Sequence, residues 1–93
     1  MQSLSLNHLA LAVKDVTVSV AFYQAVFGLR EIENTASNST TRWLSLGEGK
    51  ELHLIPRPEA EIKTHKAIHF AMALDDLDRF ILHLKSLEIN FYD

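Results

Sequence analysis

The chain has 93 residues, 47% apolar and 23% charged, with a net charge of −3, which suits one soluble globular domain with a real core and lacks the basic footprint of a nucleic-acid binder. It contains no cysteine, which excludes disulfides, thiolate metal sites and a cysteine nucleophile. No run approaches the ~18 apolar residues of a membrane span, and the first basic residue is Lys14, so the sequence has no membrane partner and no signal-peptide charge, and a cytoplasmic protein is expected.

Alternation over residues 4–13 puts Leu9, Leu11 and Val13 on one side and His8, Ala10 and Ala12 on the other, which predicts a strand. Asp15 suits a helix N-cap. Val16, Val20, Tyr23 and Phe27 follow at helical spacing, and Gly28 stands where a left-handed residue stops a helix. A second strand is expected from Leu29 to about Asn34. The Ser/Thr/Asn-rich Thr35–Thr41 reads as a loop. A third strand, Arg42–Leu46, a turn at Gly47-Glu48-Gly49 and a fourth strand, Lys50–Ile55, make a hairpin that ends at Pro56. The charged stretch Arg57–Lys66, with Pro58, reads as a linker. Beyond it come a strand from Ala67 to Leu74 and a helix capped by Asp75 or Asp76. That helix has the stripe Leu77, Ile81 and Leu84, widened by Phe80 and Leu87, and Asn90–Asp93 resembles the start of another strand.

The chain contains its own repeat. IHFAMALDDL lies over LNHLALAVKDV in register 61 positions further on. His8 matches His69, Ala10 matches Ala71, Ala12 matches Ala73, and Asp15 matches Asp76, while the positions between stay apolar. The helices follow the same offset through Val16/Leu77, Val20/Ile81, Tyr23/Leu84 and Val26/Leu87. Self-similarity of this kind points to two copies of one unit. Residues 1–57 read as a βαβββ module and 67–93 as a partial second module of strand, helix and fragment, together one domain over 1–93. The incomplete copy leaves a sheet edge uncovered, and edges invite pairing with another chain. The expectation is either a homodimer or a piece of a longer product.

Strand parity sorts the candidate site. Leu44, Leu46, Leu52 and Leu54 take the helix side, leaving Trp43, Ser45, Glu51, His53 and Ile55 on the other, with His8 and His69 also turned away from the bulky residues. Imidazoles from His8, His53 and His69 on one open face suit a divalent metal. A lone histidine is more often a packing or surface residue, but the repeat places the same side chain in both copies beside alanines that leave room. Trp43, Ser45 and Glu51 are the candidate substrate-binding residues, with Trp43 as an aromatic pocket wall or equally a dimer contact. Glu51 reads as a metal ligand only through a register shift. Tyr23 belongs to the core, its hydroxyl near an edge. His65 and His83 read as solvated, and Arg42, Arg57 and Lys66 as scattered surface charges more than as a lure for an anionic substrate. No phosphate loop, serine elbow or paired acid/base carboxylates are present, and no catalytic residue is assigned.

The "NHLALAV" strand, the helix with "D…S…FY…FGL" and the later "IHFAMAL" strand resemble the vicinal oxygen chelate superfamily, which includes glyoxalase I, fosfomycin-resistance thiol transferases, extradiol dioxygenases and bleomycin-binding proteins. The resemblance implies an α+β fold in which paired βαβββ modules form a cupped mixed sheet with helices outside, here with the second module incomplete. It implies a divalent metal (Zn, Ni, Mn or Fe) that polarises a small-molecule substrate through neighbouring oxygens, with His8 and His69 at the positions of frequent ligands. Glyoxalase-like members carry a glutamate where this chain has His53. Fosfomycin-resistance-like members take a late glutamate from a strand with no counterpart here. The function implied is a metal-dependent lyase, isomerase or thiol transferase. The alternatives are a metal-free binding protein of the bleomycin-resistance kind and an inactive truncated homologue. Retention of both histidines favours the enzyme.

Overall fold

The first apolar alternation forms β1 (His8–Val13), whose residues are exposed and half-buried in turn. The computed structural model describes residues 2–36 and 39–91, and the chain divides into two compact units, Met1–Ile62 and Lys63–Asp93. In the first unit β1 is followed by α1 (Val16–Phe27), β2 (Glu31–Ile32), β3 (Arg42–Gly47) and β4 (Lys50–Pro56); the second holds α2 (Leu77–Ser86). The first unit is therefore the βαβββ arrangement expected of the opening half, and the fold is α+β.

The sheet order is β1-β4-β3-β2. β1 runs parallel to β4, while β3 is antiparallel to both β4 and β2. A parallel pair needs a crossover connection, and α1 begins it. The core lies between α1 and one face of the sheet. Leu44, Leu52 and Leu54 are 0% exposed and Val20 3%, with Leu9, Leu11, Val13, Val16, Tyr23, Leu29 and Leu46 packed around them. Each fully buried leucine contributes about 1.5–3 kcal/mol relative to exposure. Burial raises the Tyr23 phenol above its ordinary range, so it stays protonated where a free tyrosine ionises.

Both helices start as their sequences direct. The Asp15 carboxylate accepts from the Thr17 and Val18 amides at 3.0 and 3.1 Å, and Asp76, of the two neighbouring aspartates, accepts from the Arg79 amide at 3.0 Å. Each occupies donors that a helix N-terminus leaves unpaired. Gly28 ends α1 at φ 65°, in the left-handed region that costs a glycine little. α2 ends differently. Glu88 takes φ 57°, with its amide on the Lys85 carbonyl and the Ile89 amide on the Leu84 carbonyl, both at 3.0 Å, which is a Schellman closure built without glycine.

Five expectations change. β1 starts at His8, later than the alternation suggests, because its ladder with β4 begins at the His8–Glu51 pair. β2 is two residues long. Asn34 turns the chain away by donating to the Thr41 carbonyl at 2.9 Å and accepting from the Ala36 amide at 3.0 Å, local bonds that compete with a ladder. The stripe of α2 is only partly covered, with Leu84 buried but Leu77 62% exposed. The expected strand Ala67–Leu74 makes no ladder. Its period is that of a strand, but a strand exists through its neighbour's hydrogen bonds, and no described segment pairs with it. Ile68, Met72 and Leu74 stand 79%, 37% and 44% exposed. The expected final strand has Asn90 and Phe91 outside any strand, and Tyr92 and Asp93 lie outside the described residues, as do Ser37 and Asn38 of the expected loop. No helix among the described residues is long and apolar enough to cross a membrane.

Candidate functional site

The sheet face opposite α1 carries His8, Trp43, Ser45, Glu51 and His53, as strand parity requires, whereas His69, expected on the same face, lies in the second unit in a segment that forms no strand. On β4, Leu52 and Leu54 are sealed beneath the sheet, so Glu51 and His53 project the other way. On β3, Leu44 is sealed and Trp43 and Ser45 project with them. Register decides which of these side chains meet. β1 and β4 pair His8 with Glu51 and Ala10 with His53, while β3 and β4 pair Trp43 with His53 and Ser45 with Glu51. Ala10, opposite His53, has only a methyl group, and the His53 ring stacks diagonally with that of His8.

The result is a three-layer stack across three strands. The Trp43 and His53 rings lie 4.0 Å apart at 5°, and the His53 and His8 rings 4.2 Å apart at 14°. His53 Nε2 donates to Glu51 Oε1 at 2.9 Å, with the two side chains 12% and 28% exposed. His53 is therefore covered on both ring faces and tied at one edge. Ser45 stands beside Glu51, and its hydroxyl accepts from the Gly47 amide at 3.1 Å, which ties it to the β3–β4 turn. Glu31 and Arg42 lie on the opposite parity and pair at 2.7 and 2.8 Å, so that cation is engaged away from the site.

His8 and His69 are exposed, and each is held through the same nitrogen. His8 Nδ1 lies 2.8 Å from Asn7 Oδ1 and His69 Nδ1 lies 3.1 Å from the Lys66 carbonyl oxygen. Oxygens of these types only accept, so Nδ1 carries the proton and donates. In the neutral ring that leaves Nε2 with a free lone pair. A metal-binding histidine is commonly oriented through its second nitrogen in this way. Asn7 was not among the sequence candidates. The repeat hides it, because its counterpart in the second copy is Ile68, where a backbone carbonyl takes over the task. His65 is exposed, its Nδ1 accepting from the Ala67 amide at 3.0 Å, and His83 is exposed on α2.

The fit of a divalent cation can be judged residue by residue. His8 and His69 each present an accessible imidazole lone pair. His53 donates through Nε2 to Glu51, so its lone pair falls on Nδ1, in a ring plane held between the Trp43 and His8 rings. Among the described residues no three His, Asp or Glu side chains group as a cation site.

A family model described as Glyoxalase/Bleomycin resistance protein/Dioxygenase superfamily matches residues 5–92. Metallothiol transferase FosB of Lysinibacillus sphaericus (strain C3-41) is 33% identical over 96 residues, which cover 96% of this chain and 63% of FosB. The chain thus spans under two thirds of that relative's length. Among solved structures, fosfomycin resistance protein FosX from Listeria monocytogenes, complexed with Mn(II) and sulfate, superposes with a TM-score of 0.72 at 20% identity, covering 100% of this chain and 70% of FosX. A possible glyoxalase from Bacillus cereus gives 0.72 at 22% identity, covering 92% of this chain and 73% of its own. Likeness at these identities is likeness of fold.

Proposed function

The chain belongs to the Glyoxalase/Bleomycin resistance protein/Dioxygenase superfamily, and we propose that it is a metal-dependent small-molecule enzyme of the thiol-transferase kind. The observation that carries this reading is the shared state of His8 and His69, each with Nδ1 tied to an oxygen and Nε2 left for a ligand. The similarity to a metallothiol transferase favours thiol transfer over lyase or isomerase chemistry. The Mn(II) named with FosX supports a divalent cation.

In this reading His8 and His69 supply neutral nitrogen ligands, and Asn7 and the Lys66 carbonyl hold their rings in the binding tautomer. A bound divalent cation acts as a Lewis acid that polarises substrate oxygens. The chain's own part is to orient the substrate. Trp43 forms the wall of the open face, Glu51 places a carboxylate beside His8, and Ser45 borders both from β3. Ala10 and Ala12 keep the face shallow enough for a small molecule to reach His8.

Metal analysis and calorimetry with Zn(II) and Mn(II) test the reading, alongside consumption of a thiol in the presence of fosfomycin. Cation uptake is expected in the wild type, with binding lost in the His8→Ala, His69→Ala double variant and thiol consumption lost with it. A wild type that takes up neither cation, and that the double substitution leaves unchanged, overturns the proposal and favours the metal-free binding alternative.

A further inference from the structure

We infer that His53 is not a ligand of the cation but a positioning residue, a ring platform that sets the plane of the His8 imidazole. The inference rests on the proposal that His8 is a ligand. An imidazole donates to a metal along a lone pair lying in the ring plane, with a bond of ~2.0–2.1 Å. The His8 and His53 rings are 14° from parallel with centroids 4.2 Å apart. Their planes meet far beyond the reach of such a bond, so an ion in the plane of His8 lies off the plane of His53 and faces its π surface.

Other observations assign the platform role. His53 is stacked on Trp43 at 4.0 Å and 5°, so it cannot swing without breaking a second stack. Glu51 Oε1, 2.9 Å from Nε2, fixes rotation within the ring plane. The His53 side chain is 12% exposed, whereas His8 is exposed. Asn7 and His53 then divide the work: Asn7 selects the tautomer of His8, and His53 holds its tilt. Trp43 anchors the platform from β3, and Glu51 locks it from within β4.

The test uses the full chain with the variants His53→Phe, His53→Ala and His8→Ala. Phenylalanine keeps a flat ring but has no nitrogen, so Zn(II) affinity by calorimetry should stay within about threefold of wild type. Removing the ring in His53→Ala should weaken Zn(II) by roughly 10- to 100-fold, the scale of losing a partner that orients a ligand, and His8→Ala should weaken it at least as much. If His53→Phe costs as much as His8→Ala, His53 donates a nitrogen and the inference falls. If His53→Ala binds like wild type, the ring positions nothing and the inference falls equally.

A metal-free readout separates this inference from the ligand reading beneath it. Imidazole 15N–1H correlation spectra should show His8 as the Nδ1–H tautomer, with its ring protons displaced upfield by the stacked neighbour. The displacement should persist in His53→Phe and vanish in His53→Ala. Should the wild type bind no Zn(II), the ligand role of His8 fails on that result alone, and these spectra still decide the platform: His8 signals indifferent to His53→Ala overturn it.

Discussion

Leu52→Ala probes the link between the core and the site most directly. Leu52 is 0% exposed and sits in β4 between Glu51 and His53, so the residue that anchors the strand from below is flanked by two that project onto the open face. The substitution removes three carbons. At ~0.8 kcal/mol per buried carbon, transfer alone gives a floor of about 2.4 kcal/mol, and the cavity beneath a sheet braced by Leu44 and Leu54 raises the loss towards the ~5 kcal/mol seen for leucines that cannot collapse. A unit of this size has a total stability of roughly 3–9 kcal/mol, so the variant should lie near the edge of folding. Urea unfolding followed by the fluorescence of Trp43, the one tryptophan in the chain, reports on this unit because the indole is stacked on His53. With a slope near ~1 kcal/mol per molar urea, the midpoint should fall by about 2 M or more. Glu51→Gln, on the opposite face and still able to accept from His53, should stay within about 0.5 kcal/mol of wild type. Equal midpoints for the two variants would refute the assignment of faces from which the site is built.

Two further outcomes follow from the surface and the second helix. Arg42 grips Glu31 through two nitrogens at 2.8 and 2.7 Å, with both side chains 34% exposed; its hydrogen bonds hold the Glu31 carboxyl below the usual carboxylate range, and the guanidinium's own pKa is raised in return. A carboxylate with a depressed folded pKa stabilises the fold above its unfolded pKa and loses that contribution as pH falls through the folded one. Glu31→Gln should therefore cost about 0.5–1 kcal/mol at neutral pH, and melts repeated in acid should show the gap to wild type closing; a gap independent of pH would sink the argument. Glu88 pays the left-handed penalty at the end of α2, so Glu88→Gly should strengthen that closure, with hydrogen-exchange protection of the Leu87 and Ile89 amides rising roughly two- to fivefold. Unchanged or weaker protection would mean that the closure does not limit fraying there.

Local rules made much of the first unit, and the start of α2 in the second, legible in the sequence. The alternation of His8, Ala10 and Ala12 against Leu9, Leu11 and Val13 named the two faces of β1. Asp15, Asp76 and Gly28 marked helix ends, and the turn at Gly47-Glu48-Gly49 uses three left-handed residues in succession. These signals are legible because a side chain's face, a cap and a turn depend on residues within a few positions. The same locality explains the misses. Residues 67–74 carry a strand's period without a ladder, because period two describes which side a residue faces and says nothing about whether a neighbour exists. Asn7 went unseen because its role is a contact made by one copy of the repeat alone.

What the sequence determined by itself was which residues share the open face: His8, Trp43, Ser45, Glu51 and His53, with the leucines of β3 and β4 beneath. Only the tertiary structure decided how they meet. The parallel register of β1 on β4 pairs His8 with Glu51 and Ala10 with His53, and a slip of two residues would keep every face and dissolve the stack. That register joins strands far apart in the chain through the α1 crossover and is set by core packing and ladder bonds. For this reason His53, which the repeat already set apart from the matched pair His8 and His69, is held flat between Trp43 and His8, while the other two rings are exposed.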